Sequence, residues 1–564
     1  MVYSPPLLSI EEDYIMTAAK LFVQCLEEEG VKWIFGVPGE ENADFMMALE
    51  DSPIEFVLCR HEQGAAFMAD VYGRLTGEPG VCLGTLGPGA TNLITGVADA
   101  NMDRAPLIAL TGQADSRRQH KESHQNMDVV AMFTPVTKWA TPIINAGNIP
   151  EVIRKAFKLA TTEKPGACHI ELAEDIAEQE VDGLKPIPSA HARRPVPADK
   201  VVDQAWELIK AAKRPVILAG NGCVRKRASK QLRLFAEASG IGVINTFMGK
   251  GAVPRSAPYS LFTIGLQSKD FVALAIDAAD LVITLGYDLV EYHPRLWNSS
   301  ADKRVIHVDF LPAEVDEHYP VEVEIVGDLA HTLWMFNERI ANEPVRFDIP
   351  QHETIRQQML DDFSAHAEDK TEGSIRPQKV LWDVREAMGP NDILLSDVGA
   401  HKMWIARYYQ CDEPNTCLIS NGFCSMGFAL PGAIGAALAR PESRVLAICG
   451  DGGFLMNVQE METARRINAN ITVMIWEDHA YGLIAWKQYS LYGKHTDLAF
   501  DNPDWVQLAT AFDWYAEKVE NAEDLRGALD RAMAEERPSL VIVPIDYREN
   551  NKLTERLGDI AYTI

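Results

Sequence analysis

Short apolar runs alternate along the chain with longer stretches in which apolar residues recur every three or four positions. The runs WIFGVPG (33–39), APLIALTGQ (105–113) and GACHIEL (166–172) are typical of buried strands, whereas residues 16–30 and 149–166 have the pattern of amphipathic helices. This alternation predicts parallel sheets with crossover helices. Ligand sites in such sheets form beyond the carboxyl ends of the strands.

Two stretches interrupt the alternation. Residues 184–198 (LKPIPSAHARRPVPA) contain four prolines and no apolar periodicity, and residues 341–376 are polar and rich in charge. The first is a predicted linker and the second a predicted, partly helical connection. A chain of 564 residues is also too long for one core. We predict an α/β protein with three doubly wound parallel-sheet domains, at 1–185, 199–340 and 375–564.

The net charge narrows the range of partners. The formal charge is −28, which repels nucleic acid and anionic membranes, so we expect neither as a partner. Nine cysteines occur without paired spacing, and the N-terminus lacks the basic segment and apolar core of a signal peptide, so we expect a reducing, cytoplasmic location. Residues 421–439 carry no charge, but their glycines and proline favour a buried helix over a membrane span.

The first motif with chemical content is a glycine-flanked acid. Gly450 and Gly452 enclose Asp451 directly after a predicted strand, and a helix is predicted in NVQEMETARRIN (457–468). Such a turn exposes peptide N–H groups that can bind a diphosphate, while the carboxylate can hold a hard cation. The motif alone is weak, because turns use Asp and Gly for conformational reasons. The second strand, ITVMIW (471–476), ends in an acidic turn and strengthens the interpretation.

The second motif places Glu62 between a strand and a helix of small and apolar residues, in FVLCRHEQGAAFMADVYGRLTG (56–77). A carboxyl group there would be partly buried and could exchange a proton with a heterocyclic nitrogen. The alternative is an acid that only complements the helix dipole. Residues 35–45 (FGVPGEENADF) and 85–93 (TLGPGATNL) add two turns that either line a pocket or simply join a strand to a helix.

In their order and spacing these motifs resemble one superfamily, the thiamine-diphosphate-dependent 2-oxoacid enzymes. The resemblance covers nearly the whole chain and implies a pyrimidine-binding, a central and a diphosphate-binding domain. Within the superfamily, segments such as GPGATNLITGVADA, MDVVAMFTPVTK, WIARYY and PIDYREN are most similar to the acetolactate synthases, in particular the catabolic, flavin-independent type.

The resemblance implies roles for individual residues. Glu62 corresponds to the glutamate that activates the cofactor through its aminopyrimidine ring, and Met426 to the bulky residue that supports the cofactor in a bent form. Gln125 corresponds to a residue that faces the substrate, with a surface loop as its alternative. The other residues implied in cofactor binding are Pro38, Asn92, Gly399, His401, Gly450, Gly452, Gly453 and Tyr481.

The implied metal site contains His479, the least family-like residue of the proposed site. Asp451 corresponds to a ligand of Mg²⁺, but the position of His479 is usually asparagine, and Tyr481 two residues later would contribute its carbonyl group. Imidazole suits Mn²⁺ or Co²⁺ better than Mg²⁺. Either His479 ligates the metal and shifts its preference towards Mn²⁺, or it turns aside and leaves Asp478 or a water molecule in its place.

The resemblance implies that the enzyme decarboxylates pyruvate and ligates the product to a second pyruvate, giving 2-acetolactate. It also implies a homodimer or homotetramer whose active sites combine two subunits. FAD is not expected, because Arg225 occupies the place of the third glycine in the turn GNGCVR (220–225). The alternatives are a related 2-oxoacid decarboxylase or carboligase, and a cofactor-binding relative without activity.

Overall fold

We describe a computed structural model of the chain, which covers residues 16–190, 194–225, 227–265, 271–550 and 553. The N-terminal segment on which the absence of a signal peptide was inferred therefore lies almost entirely outside the described residues. The described chain forms three six-stranded sheets, and every pairing between their strands is parallel. The predicted fold class, α/β with three parallel sheets, is confirmed.

The N-terminal domain surrounds the first sheet, in the order β2-β1-β3-β4-β6-β5. Its strands are β1 (Trp33–Gly36), β2 (Glu55–Leu58), β3 (Gly80–Gly84), β4 (Leu107–Gln113), β5 (Trp139–Ile143) and β6 (Ala167–Ala173). Its helices are α1 (Ala18–Glu28), α2 (Ala43–Glu50), α3 (Glu62–Thr76), α4 (Pro88–Met102), α5 (Val129–Phe133), α6 (Ile149–Thr161) and α7 (Glu174–Ala177). The apolar runs and amphipathic stretches read from the sequence correspond to β1, β4, β6, α1 and α6.

The central domain surrounds the second sheet, in the order β12-β11-β10-β7-β8-β9. Its strands are β7 (Pro215–Ala219), β8 (Gly242–Asn245), β9 (Ser260–Thr263), β10 (Leu281–Leu285), β11 (Arg304–Asp309) and β12 (Val321–Val326). Its helices are α8 (Asp199–Ala211), α9 (Ala228–Ser239), α10 (Ala273–Ala278) and α11 (Leu329–Asn342), and α12 (Pro350–Ser364) makes the following connection partly helical.

The C-terminal domain surrounds the third sheet, in the order β14-β13-β15-β16-β18-β17. Its strands are β13 (Ile393–Ser396), β14 (Cys417–Ile419), β15 (Val445–Gly450), β16 (Ile471–Glu477), β17 (Tyr515–Lys518) and β18 (Ser539–Pro544). Its helices are α13 (Pro377–Ala387), α14 (Ala400–Tyr408), α15 (Ala429–Ala439), α16 (Asp451–Phe454), α17 (Glu460–Arg466), α18 (Gly482–Tyr492), α19 (Trp505–Ala511) and α20 (Leu525–Met533). The first and third sheets thus have the same strand order, which favours an old duplication of the outer domains.

The two outer domains pack on each other through α3 and α15. A Cβ atom at Gly435 would lie 2.3 Å from the carbonyl oxygen of Met68, so the two helices approach at backbone distance. Phe67 and Phe428 meet edge to face, with ring centroids 5.6 Å apart. The uncharged segment 421–439 therefore ends in a buried helix. Nowhere in the part of the chain that the structure describes does a helix have the length and apolar character needed to cross a membrane.

A buried ion cluster also joins the outer domains. Arg74 on α3, whose side chain is 6% exposed, pairs with Asp70 at 2.7 Å, with Asp103 at 3.1 Å and with Asp99 at 3.5 Å. Its Nη1 atom donates to the carbonyl oxygen of Ile419 at 2.6 Å. Because Ile419 ends β14, the cluster holds the loop that follows this strand and leads to α15.

Candidate active site

The N-terminal half of the candidate site centres on Glu62, the first residue of α3. The imidazole of His61 caps the helix by accepting from the peptide N–H of Gln63 at 3.1 Å. Glu62 itself is 7% exposed, and its Oε2 accepts from the side-chain amide of Asn92 at 2.9 Å. Its Oε1 lies only 3.3 Å from the place of a Cβ atom at Gly89. The structure thus brings together Glu62, Asn92 and the Gly-Pro-Gly turn.

The same turn also lies against Gln125. Gly87, with φ +50°, precedes α4, and a Cβ atom there would lie 2.9 Å from the carbonyl oxygen of Gln125. Gln125 is exposed and itself has φ +55°, which is uncommon for a residue other than glycine. Pro38 is exposed in the loop after β1, and a Cβ atom at its neighbour Gly39 would lie 2.4 Å from the side chain of Thr85. The loops after β1 and β3 are therefore adjacent.

The C-terminal half of the site centres on Asp451, which opens the short helix α16 directly after β15. The helix predicted within residues 457–468 is confirmed as α17 (Glu460–Arg466), and α16, which starts at the aspartate itself, is a separate short helix before it. The buried carboxylate of Asp451 accepts four hydrogen bonds. Its Oδ1 accepts from the peptide N–H of the neighbouring Gly452 at 2.9 Å. Its Oδ2 accepts from the peptide N–H groups of Asp478 at 3.1 Å and His479 at 2.7 Å, and from the side-chain amide of Asn502 at 2.8 Å.

The turn after β16 decides which side chain faces Asp451. His479 has φ +58°, and its imidazole is 56% exposed, 3.3 Å from Asn502 and 3.7 Å from Glu477. The carboxyl group of Asp478 is turned inward, where burial and the charge of Asp451 raise its pKa to about 8. His479 is thus the more exposed of the two side chains, and the choice between the two alternatives for the metal ligand stays a prediction. Among the described residues, no group of three or more His, Cys, Asp and Glu side chains is arranged to hold a metal ion.

Tyr481 lies one residue before α18, and its carbonyl oxygen accepts from the peptide N–H groups of Ile484 and Ala485 at 3.0 and 3.1 Å. Its ring is 5.1 Å from that of Phe500 and covers Gly452, where a Cβ atom would lie 2.9 Å from the ring of Tyr481. The aromatic side chain therefore lies beside the glycine turn, while the carbonyl group takes part in the start of the helix.

His401 and two glycines form a cradle at the ends of β13 and β15. A Cβ atom at Gly399 would lie 2.7 Å from the imidazole of His401, and one at Gly450 would lie 3.4 Å from it. His401 is 2% exposed and burial lowers its pKa to about 4, so the ring is neutral at physiological pH. Its Nε2 atom is buried without a hydrogen-bond partner among the described residues. A buried donor or acceptor of this kind is the contact that a diphosphate oxygen would complete.

Asp397, at the end of β13, connects the glycine turn to the loop that carries Met426. Its carboxylate is fully buried and accepts from the peptide N–H groups of Gly427 at 3.2 Å and Phe428 at 3.1 Å. A Cβ atom at Gly453 would lie 2.3 Å from Asp397 Oδ2 and 3.7 Å from the terminal methyl group of Met426. Burial raises the pKa of Asp397 to about 7. Gly453, Asp397 and Met426 thus form one packed unit.

Glu460 links the two halves within one chain. It is fully buried on α17, and its Oε1 accepts from the peptide N–H groups of Arg60 at 3.2 Å and His61 at 3.0 Å. The hydroxyl group of Thr463 donates to its Oε2 at 2.7 Å. Burial raises the pKa of Glu460 to about 7. This carboxyl group therefore holds the turn immediately before Glu62, whereas no hydrogen bond or ion pair among the described residues joins Glu62 itself to the diphosphate half.

Comparison of the sequence with known proteins identifies the family to which the chain is similar. Residues 16–132 match the N-terminal TPP binding domain of thiamine pyrophosphate enzymes, residues 202–336 their central domain, and residues 397–543 their C-terminal TPP binding domain. An acetolactate synthase of Bacillus subtilis is 35% identical over 557 residues, which cover 97% of each chain. The chain belongs to the acetolactate synthase family. A catabolic acetolactate synthase of Raoultella terrigena is 36% identical over 546 residues, 96% of this chain and 97% of the relative.

Membership of the acetolactate synthase family confirms the resemblance read from the motifs, the thiamine-diphosphate enzyme class and the three-domain α/β fold. The roles of the individual site residues and the domain boundaries stay predictions. Sequence reasoning gave no role to Asp397, Glu460 and Asn502. Asp397 lies two residues before Gly399, and Glu460 lies in the quoted stretch NVQEMETARRIN, so their charge was a usable signal. Asn502 lies in a loop without a motif, 51 residues after Asp451, and only the folded chain brings it there.

Proposed function

We propose that the protein is a thiamine-diphosphate-dependent acetolactate synthase that converts two molecules of pyruvate into 2-acetolactate and carbon dioxide. The end-to-end similarity to proteins named acetolactate synthases supports this proposal. The observation that carries it is Glu62, which is buried at the start of α3 and oriented by the amide of Asn92. When bound, thiamine diphosphate supplies a carbanion that can attack a 2-oxoacid and accept the electrons released with carbon dioxide.

Glu62 would hold a proton next to the pyrimidine ring of the cofactor. The hydrogen bond from Asn92 occupies Oε2 and leaves Oε1 for a ring nitrogen. Met426 would support the cofactor from the other domain, since it packs beside Gly453 in the diphosphate half. Gln125, exposed beside the Gly-Pro-Gly turn, is in a position to meet the substrate. Pro38 lies on the adjacent loop after β1 and would line the same entrance to the cofactor site.

The diphosphate would be held by the peptide N–H groups of the glycine turns and by the buried Nε2 of His401. These residues fit such an anion, because side chains at Gly399 and Gly450 would fill the cradle beside His401. Asp451 would bind the Mg²⁺ that accompanies the diphosphate. The inward carboxyl group of Asp478 supports this residue as second ligand, and His479 would then stay outside the metal shell.

A pair of substitutions separates the two candidate ligands. Asp478→Ala is expected to weaken Mg²⁺ binding in calorimetric titrations with thiamine diphosphate present, while His479→Asn leaves Mg²⁺ and Mn²⁺ affinities unchanged. If His479 ligates the metal instead, His479→Asn will shift the preference from Mn²⁺ towards Mg²⁺. In that case the Tyr481 carbonyl and a neutral imidazole, rather than Asp478, complete the shell.

We further propose that the active unit is a homodimer, or a homotetramer built from dimers. The support is that no hydrogen bond or ion pair among the described residues joins Glu62 to the diphosphate half of its own chain, and that α18 has no buried residue and exposes Ile484, Tyr489 and Tyr492. Exposed apolar patches of this kind mark interfaces. Each site would then combine Glu62 of one subunit with Asp451 of the other.

Mixing inactive variants tests this arrangement. Glu62→Gln and Asp451→Ala chains, each inactive alone, should regain activity when they are unfolded together and refolded, because one of the two sites in a mixed dimer contains both native residues. No regain in mixtures that light scattering shows to be dimeric would contradict the shared site. Wild-type chains refolded in the same way provide the control.

Product analysis tests the reaction itself. Enzyme, thiamine diphosphate, Mg²⁺ and pyruvate should give acetolactate, detected as acetoin after acid treatment. Acetaldehyde as the main product would instead identify a decarboxylase, and no carbon dioxide from a panel of 2-oxoacids, with the cofactor bound, would identify an inactive relative. Glu50→Gln, on the exposed end of α2, is the matched control for Glu62→Gln.

Two further parts of the proposal concern cofactor choice and location. We propose a catabolic-type enzyme without flavin, because Arg225 stands in the place of the third glycine of the central-domain turn. The visible absorbance of a bound flavin in protein purified after incubation with FAD would contradict this. All nine cysteines are free, and eight of them are buried, which supports a reducing, cytoplasmic location.

A further inference from the structure

The turn after β7 in the central domain has the form of a nucleotide-binding turn. Gly220, Asn221 and Gly222 follow the strand at its carboxyl end and lead through a single 3₁₀ turn towards α9. In doubly wound sheets this is the place where peptide N–H groups bind the diphosphate of a nucleotide. The glycines leave no room for side chains, since a Cβ atom at Gly220 would lie 2.5 Å from the carbonyl oxygen of Gly286.

A carboxylate of the chain itself already occupies this turn. Glu291, in the loop after β10, is 7% exposed, and both its oxygens lie 3.1 Å from the peptide nitrogen of Asn221. The peptide N–H of Asp288 donates to Oε1 at 3.0 Å, and the hydroxyl group of Thr246 donates to Oε2 at 2.5 Å. Donors from the loops after β7, β8 and β10 therefore converge on one anion.

The donors around Glu291 are those of an anion site rather than of an ion pair. None of its hydrogen-bond partners among the described residues is a lysine, arginine or histidine. Peptide N–H groups and a hydroxyl group are the usual partners of phosphate oxygens. Burial is the larger cause and the charge of Asp288 the smaller cause that raise the pKa of Glu291 to about 7. The ionised form of this carboxyl group is therefore destabilised in the folded chain.

The N-terminal domain covers the rest of the space at the carboxyl ends of the central-domain strands. Lys164 forms ion pairs with Asp288 and with Asp309, the latter at 3.2 Å, and these two acids follow β10 and end β11. Arg104 pairs with Asp288 at 3.1 Å. A ligand would have to compete with these cations of the neighbouring domain, whereas the peptide N–H of the turn itself is occupied by Glu291.

We propose that the central domain contains a phosphate site that the chain fills with its own Glu291, and that removal of this side chain converts the turn into a site for inorganic phosphate and for the diphosphate of a nucleotide. Glu291→Ala removes the carboxylate with one methylene group, a volume similar to that of a phosphate group. The freed donors at Asn221, Asp288 and Thr246 match those that a phosphate needs. In the native chain this carboxylate would keep the phosphate groups of a nucleotide or flavin out of the turn.

Calorimetric titration of the full-length chain with inorganic phosphate and with ADP tests the proposal, with thiamine diphosphate and Mg²⁺ at saturation so that the diphosphate site of the C-terminal domain is already filled. Wild type is expected to bind neither, and Glu291→Ala is expected to bind both at one site per chain and to melt at a higher temperature when phosphate is present. Glu314→Ala removes an exposed glutamate of the same domain and should behave as wild type. Binding of ADP or FAD by wild type at one per chain, or a folded Glu291→Ala without phosphate binding, would overturn the proposal.

A second variant separates occupancy of the turn from loss of charge. Glu291→Gln keeps the volume, so it should not bind phosphate, and phosphate binding by this variant would contradict the argument. If Glu291→Ala folds only in phosphate buffer, the result supports the proposal, because the anion then accepts the hydrogen bonds that Glu291 accepted in the wild type. If it is insoluble with and without phosphate, the turn cannot use an external anion and the proposal fails. These outcomes are independent of acetolactate synthesis, because they are binding and stability measurements.

Discussion

Gly453→Ala is expected to weaken the binding of thiamine diphosphate, because the added methyl group has no space. The new Cβ atom would lie 2.3 Å from Asp397 Oδ2, where ordinary contact begins at 3.4 Å. Asp397 cannot move away freely, since it is fully buried and held by the peptide N–H groups of Gly427 and Phe428 at 3.2 and 3.1 Å. Either these hydrogen bonds break or the glycine turn itself is displaced.

The size of the effect follows from the packing. One extra methyl group in a filled, buried site costs about 1–3 kcal/mol. At about 1.4 kcal/mol for each tenfold change, this strain corresponds to a roughly 5- to 140-fold weaker dissociation constant if it falls on the turn in its bound form. Because Asp397 also anchors the backbone next to Met426, kcat should fall together with affinity.

Calorimetry with thiamine diphosphate and Mg²⁺ measures this effect. The matched control is Gly527→Ala on α20, where the nearest atom to a Cβ is the end of the flexible Arg531 side chain at 3.1 Å. The control should bind the cofactor as wild type does. An unchanged dissociation constant for Gly453→Ala would refute the steric reasoning, and an equal loss in both variants would assign the effect to general instability.

Three further predictions concern carboxyl groups. Glu62→Gln should lower kcat by about 10²–10⁴-fold with cofactor affinity nearly unchanged, measured by acetoin formation and calorimetry, because an amide cannot exchange the proton; activity near wild type would remove Glu62 from the chemistry. Glu460 has its pKa raised from 4.5 to about 7 in the folded chain, so its contribution to stability is complete below its unfolded pKa and is lost as the pH rises through 7. Glu460→Gln should therefore lose less stability than wild type between pH 5 and 8, by about 3 kcal/mol at most in urea unfolding; parallel pH profiles would contradict this. Arg74→Met leaves Asp70, Asp99 and Asp103 buried without their cation, which should cost about 3–5 kcal/mol in the free energy of unfolding; a loss below about 1 kcal/mol would show that these acids take up protons instead.

Much of the fold could be predicted from local patterns. Apolar runs such as 105–113 and amphipathic stretches such as 149–166 became β4 and α6 with ends shifted by a few residues. The short helix α16 at Asp451 was not predicted, and the helix predicted within residues 457–468 starts only at Glu460. Before it, the side chain of Asn457 donates to the carbonyl oxygen of Gly427 at 2.7 Å, a contact from a distant loop.

In the candidate site, too, local sequence patterns identified some residues, whereas contacts between distant residues were not predicted. Glu62 and Asp451 were found because a glycine-rich turn after a strand is a local pattern with a chemical meaning. Their partners were not assigned, because Asn92 is 30 residues from Glu62 and Asn502 is 51 residues from Asp451. No spacing rule specifies such contacts, which depend on how helices and loops pack over the ends of parallel strands.

By itself the sequence determined the α/β class, the three sheets and the two ends of a cofactor site, since hydrophobic period and turn composition act over a few residues. Only the tertiary structure decided which side chain of the turn after β16 faces Asp451. The backbone of His479 has φ +58°, so its imidazole points towards solvent while the carboxyl group of Asp478 lies beside Asp451. The tertiary structure alone also brought Glu291 into the turn after β7, 70 residues away in the chain. Such choices depend on the space and the unpaired donors that packing leaves, and these exist only once the chain has folded.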